Sequence, residues 1–258
     1  MNRTASRLAV RTLAWAAVPV LFAAGCSSSD SGSDEKTSDE APRSVAPTPE
    51  PVRFAALPEA CSVLGEDVVA DVVPEADPKE GETLTSTDTA TSGACLWSGL
   101  DEYQFRSLTV ALRRFESDVA LGSGDERAGE YLQQMVEEVT GDEANTGVES
   151  AELGETGDAA TSIAYTVVKE TEEEGEQEFR QQRIVARTGN VVITLDYSGV
   201  GFEGDDMPSA DSIREAAETA AREVVATLDA SAEEAPAEGQ EEQPETDEDK
   251  PEGEQQDS

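Results

Sequence analysis

Three cysteines, 57 acidic residues and no histidine are the reactive groups available to this chain. The missing histidine removes Ser-His-Asp and Cys-His nucleophile systems, histidine-ligated zinc and the side chain best suited to moving protons at neutral pH. No Gly-rich phosphate loop of the P-loop or dinucleotide type is present. Carboxylates are the remaining catalytic candidates, and a glycosidase would need only two of them. Among so many acids some close pair is inevitable, so Asp205-Asp206 and Glu172-Glu173-Glu174 read as solvated loop charges. The run Asp30 to Asp39 lacks the ligand spacing and closing Glu of an EF-hand. No catalytic residue, metal site or cofactor is expected.

The cysteines carry more specific chemistry. Arg3, Arg7 and Arg11 precede an apolar stretch from Leu13 to Ala24, which is too short for the roughly 20 residues of a membrane span and suits an export signal. That stretch ends in Ala23-Ala24-Gly25-Cys26, which looks like the lipobox of exported bacterial lipoproteins, with Ala23 where Leu is usual. The expectation is cleavage after residue 25 and a fatty-acyl (palmitate) anchor on Cys26 at the extracytoplasmic face of the cell membrane. The alternative is an ordinary cleavage that leaves Cys26 as a free thiol. Cys61 and Cys95 then remain, 34 positions apart, in an oxidising compartment. A disulfide is the default expectation for them, and two buried free thiols the alternative.

Composition divides the chain into zones. Residues 1–25 are signal. Residues 26–53 hold the lipidated cysteine and a Ser-, Asp-, Glu-, Thr- and Pro-containing segment that reads as a disordered tether. Residues 54–230 contain the periodic apolar positions of a single globular domain. Residues 231–258 carry twelve acids against Lys250 and no Val, Ile, Leu or aromatic residue, the composition of a disordered acidic tail.

Within the domain, Val63, Leu64, Val68, Val69, Val72 and Val73 predict short helical structure over 58–74, followed by an exposed loop over 75–91. A strand begins at Ala94 to Trp97. On the next, Phe105 to Phe115, Leu108, Val110 and Leu112 alternate with Ser107, Thr109, Ala111 and Arg113, giving one apolar and one polar face. Trp97 is expected to pack beside the disulfide rather than against a ligand. Ser123 and Glu126 have capping-box spacing for a helix over 125–139. Three strands follow, near 159–168, 179–188 and 191–197, the last two joined by a hairpin at Gly189-Asn190. Ser212 and Glu215 would cap a final helix over 212–228. Short links between strands favour an α+β fold, an antiparallel sheet of about five strands packed by helices.

The segments Leu57-Pro58-Glu59-Ala60-Cys61-Ser62-Val63-Leu64, Cys95-Leu96-Trp97 and Leu153-Gly154-Glu155-Thr156-Gly157-Asp158-Ala159-Ala160 resemble, in that order, motifs of a group of uncharacterised actinobacterial two-cysteine secreted lipoproteins, a domain of unknown function. The resemblance covers about residues 55–228. It implies an extracytoplasmic, membrane-tethered module and no particular activity.

Charge narrows the partners. The net charge of −39 becomes −42 when the three signal arginines are lost, so nucleic acid and anionic lipid surfaces should repel the mature chain. The expected role is a non-enzymatic binding or accessory module of the cell envelope, its partner an envelope protein, a glycolipid or a small ligand. The alternative is a cell-wall-active hydrolase or transferase that uses carboxylates.

Overall fold

A computed structural model describes residues 47–171 and 175–234. The chain passes through a 3-10 turn at Ala60–Ser62 into helix α1 (Glu66–Val72), then strands β1 (Glu82–Leu84), β2 (Ser92–Asp101) and β3 (Gln104–Arg114). Helix α2 (Gly124–Thr140) leads into β4 (Thr146–Glu152), β5 (Ala159–Thr171), β6 (Gly175–Thr188) and β7 (Val191–Gly201), and α3 (Ala210–Glu234) closes the fold. All strand pairs are antiparallel in one sheet of order β1-β2-β3-β7-β6-β5-β4. The class is α+β. Among the described residues no helix is long and apolar enough to cross a membrane.

The alternation on β3 decides how the sheet is covered. Leu108, Val110 and Leu112 share a face with Trp97, Ile184, Ile193, Leu195 and Tyr197, and all are buried. Helix α3 lies on that face through Ile213, Ala217, Ala220, Ala221, Val224 and Leu228, joined by Val69, Val72 and Val73 at α1. Its alanines let the backbone come close to the sheet, while each fully buried Leu or Ile stabilises by about 1.5–3 kcal/mol.

The opposite face has one helix. Ser123 Oγ accepts from the Glu126 amide at 3.2 Å, and Glu126 Oε2 accepts from the Ser123 amide at 3.0 Å, so the expected capping box starts α2. Gly141 ends it, with its N–H donating to Glu137. Ala128 packs on Val185 and Val192, with Phe115, Tyr131, Leu132 and Met135 around them.

Seven strands replace the expected five or so. The additional two, β1 and β4, are the sheet's edges, and their side chains are mostly exposed. A strand with no buried face has no reason to alternate, and β4 adds a register shift between Thr146 and Glu149. The final helix also differs: Ser209, not Ser212, is the cap, its Oγ accepting from the Ser212 amide at 3.1 Å. The helix then continues past Leu228 to Glu234, with Ala232 against the core.

The Gly189-Asn190 hairpin does more than reverse the chain. Gly189 takes φ 52°, and Asn190, fully buried, donates through Nδ2 to the carbonyls of Phe54 and Phe115 while its Oδ1 accepts from the Phe54 amide. Arg53, at the end of the segment assigned to the tether, pairs with Asp229 of α3 at 3.1 Å. Both ends of the domain therefore meet beside this hairpin.

Candidate functional site

Cys26, the run Asp30 to Asp39 and Glu172-Glu173-Glu174 lie outside the described residues. Cys61 and Cys95 form a disulfide, Cα atoms 5.0 Å apart, which ties the 3-10 turn to β2. Trp97, two residues along the same face of β2, is 1 % exposed and packs in the core beside it. Gly81 crosses both groups: a Cβ there would lie 2.5 Å from Cys95 Sγ and 2.6 Å from the Trp97 indole nitrogen. These residues hold the fold together. Asp205 is likewise occupied, accepting from the Gln104 amide group in the loop after β7.

The sheet face on which α2 packs also carries a concentration of polar side chains. Strand register arranges that face in rows. Ala94, Ala111, Thr194 and Val185 form one row, and Leu96, Thr109, Asp196 and Arg183 the next. Ser98, Ser107, Ser198, Gln181 and Tyr165 form a third. Beyond it, Phe105, Phe179 and Phe202 cluster with ring centroids 6.1–6.5 Å apart. A purely structural sheet face would be apolar wherever another layer was meant to cover it. Here the rows beyond α2 carry hydroxyls, an amide, a phenol and an ion pair, Gln181 and Ser198 buried and Ser98, Ser107, Thr109 and Tyr165 half-buried.

Hydrogen bonds lock this network sideways. Arg183 binds Asp196 through two nitrogens, at 2.6 and 3.0 Å, and Gln181 Nε2 donates to Ser198 Oγ at 2.6 Å. Burial opposes the Arg183 charge, but the hydrogen bonds and charge of Asp196 outweigh it and raise its pKa. Burial also raises Tyr165, with the Asp196 charge adding to it. Lys169 sits with its ammonium 4.8 Å from the Phe179 ring centre, and partial burial holds its pKa below the usual lysine value despite the pull of Asp196. A fixed set of polar groups with few loose side chains loses little entropy when something binds to it.

A depression of about 600 Å³ flanks the face, running along the outer edge of β2 between Ser98, Leu100 and Phe105 on one side and Glu75, Asp77 and Lys79 on the other. Among the described residues no group of three or more Cys, Asp or Glu side chains converges as a metal site.

The polar face of β3 is readable in the sequence as Ser107, Thr109, Ala111 and Arg113. Its neighbours are not, because Asp196, Arg183, Ser198 and Gln181 reach it from strands some 70 to 90 positions away. A local signal exists for β7 alone, where Thr194, Asp196 and Ser198 recur at every second residue, whereas β6 is polar at consecutive positions from Arg180 to Arg183. No family model matches the chain, and no curated protein matches it.

Proposed function

We propose that this chain is an extracytoplasmic lipoprotein, held to the membrane through lipid on Cys26, whose domain is a non-enzymatic binding or accessory module of the cell envelope. The observation that carries the binding role is the hydroxyl-rich, pre-ordered sheet face beyond α2, built by five strands, on which Ser98, Ser107, Thr109 and Tyr165 stay partly exposed. Asp196, the carboxylate at its centre, is forked to Arg183, an arrangement that holds side chains in place and does not ready a proton for transfer. The anchor rests on the residues before Cys26. Placement within the actinobacterial lipoprotein group is part of the same proposal, supported by the core positions of Cys95, Trp97 and Ala160 from its motif segments.

A photo-crosslinking residue at Ser98, on the polar face, tests the binding role against one at Ala226, exposed on α3 across the sheet. A discrete adduct from position 98 in intact cells, absent from position 226, is expected. Equal labelling from both positions, or none from either, refutes a dedicated face. In the same cells Cys26→Ala should leave the membrane fraction, and full retention refutes the anchor.

A further inference from the structure

The row of small side chains beside α2 leaves a second hollow whose lining specifies a ligand class. Ala94, Ala111 and Thr194 stand side by side on β2, β3 and β7, so the floor is low. The segment from Leu84 to Ser92 forms one wall and Tyr131 of α2 belongs to the other, enclosing about 380 Å³. That is the lower part of the range for small-ligand sites.

Arg113 lies at the end of this floor. Its guanidinium carbon is 4.9 Å from the centre of the Tyr131 ring and 5.5 Å from that of Phe115. Among the described residues its side chain has neither an ion pair nor a hydrogen bond, whereas Arg53, Arg114, Arg183, Arg187, Arg214 and Arg222 each meet a carboxylate and Arg106, Arg127 and Arg180 each donate to a backbone carbonyl. In a chain with 57 acids and 18 bases, an arginine set against a pair of touching rings, with no acid and no hydrogen-bond acceptor of its own, is a group left for something else. Asp88 is the acid whose pKa its charge helps to lower, but that carboxylate is taken up by the Thr91 hydroxyl and the Ala90 amide. Contact with the rings leaves its N–H donors unused, and their fork matches a carboxylate.

Hydroxyls complete the lining. Ser86 and Ser92 are used within the wall, bonded to each other and to the Asp88 carbonyl. Thr85, Thr87 and Thr194 also line the hollow and, among the described residues, their side-chain hydroxyls have no hydrogen-bond partner. Three free hydroxyls, one ring and one unpaired guanidinium match a ligand with several hydroxyls, a ring face and a single carboxylate. A ligand with many negative charges is disfavoured, because the acidic chain repels it before it arrives.

We propose that this hollow binds a sugar acid of the uronate type, with its carboxylate on Arg113, its hydroxyls on the threonines and its ring against Tyr131. The proposal rests on the binding-module reading and names its ligand class. The site would read one terminal or internal uronic acid residue of an envelope glycan.

The test titrates glucuronate, glucose and acetate into the ¹⁵N-labelled chain from residue 26 onward. Glucuronate should shift the amide signals of Thr85, Ala111, Arg113 and Thr194 saturably, and glucose and acetate should bind at least tenfold more weakly. Arg113→Gln should lose at least tenfold in glucuronate affinity. Arg113→Lys should lose nearly as much, since an ammonium keeps the charge and loses the fork. Arg113 is exposed, so both variants should keep the thermal midpoint of the parent. Thr194→Val tests the hydroxyls from the rigid floor and should weaken glucuronate without changing the response to acetate. Unchanged glucuronate affinity in Arg113→Gln, equal affinity for acetate, or no shift with any probe overturns the proposal. A position-98 adduct that persists in any of those cases leaves the binding module standing with a different ligand.

Discussion

Arg183 and Asp196 meet fork to fork across the β6–β7 pair, with Nε and Nη2 each on a different carboxylate oxygen. The Arg183 side chain is 16 % exposed and that of Asp196 32 %, so water screens the pair only in part. Asp196→Asn keeps the shape and removes the charge, and should cost about 1–3 kcal/mol in urea unfolding. Arg183→Gln should cost a similar amount, and the double variant less than the two together. Additive losses would show that the two residues do not stabilise each other. Asn at 196 should also let Tyr165 ionise at lower pH, because a charge that opposes its phenolate is gone.

Tyr197 supplies an alkaline limit. Its hydroxyl donates to the Val72 carbonyl from within the core, and burial pushes its pKa up to about 12, only partly offset by Arg106. Below pH 10 the phenol is protonated in both folded and unfolded chains and contributes no pH dependence. Between pH 10 and 12 the unfolded chain releases the proton while the folded one retains it, so stability falls as pH rises, by about 2–3 kcal/mol in all. Tyr197→Phe should lose about 1 kcal/mol at pH 7 and show a shallower fall above pH 10. A parallel fall in both proteins would assign the alkaline limit elsewhere.

What the sequence revealed of this fold follows from how much of each element is buried. β3 is apolar on one side and polar on the other, and its alternation is plain from Ser107 to Arg113. β1 and β4 bury almost nothing, so no pattern marks them. Ser123 was readable as a cap because Glu126 completes the box. Ser209 was not, because Ser212 offers the same residue type one helical turn later and Pro208 already stands before it. The polar face was half readable: residue type placed the hydroxyls on alternate positions, but strand order brought three distant strands, β7, β6 and β5, into line beyond β3, and no local pattern encodes that order.

Gly81 makes the disulfide region sensitive to a single methyl group. Its φ of 79° is strained for any L side chain, and a Cβ would press on both Cys95 and Trp97. Gly81→Ala should therefore cost about 2–4 kcal/mol. Reducing the Cys61–Cys95 bond frees a loop of sequence separation 34 and should cost about 3–4 kcal/mol in the chain-entropy account. In a domain of this size that lowers the thermal midpoint by about 10 °C. Differential scanning fluorimetry with and without reductant measures both. A Gly81→Ala midpoint within 1 °C of the parent, on the order of the scatter for a surface change, would mean that the loop moves aside freely.

The end of α3 separates two truncations that composition alone treats as one. Ser231 Oγ donates to the Leu228 carbonyl at 2.7 Å, and Ala232 packs on the core, so the last helical turn belongs to the domain. Residues 235–258 contain no Val, Ile, Leu or aromatic side chain and carry ten acids against Lys250. Stopping the chain after Glu234 should leave stability level or slightly higher, since it removes like charge from an already negative molecule. Stopping after Ala230 should instead cost about 0.5–1 kcal/mol, the scale of a small buried apolar contact together with a frayed helix end. Salt distinguishes the two effects. The charge effect acts through solvent and should fade over the roughly 10 Å screening length of 0.1 M salt, whereas the packing loss should persist. Urea unfolding of the three lengths at low and moderate salt gives the comparison. If stopping after Glu234 cost more than about 1 kcal/mol at both salts, a loss of that size would have to come from folded contacts, and the domain would extend past residue 234.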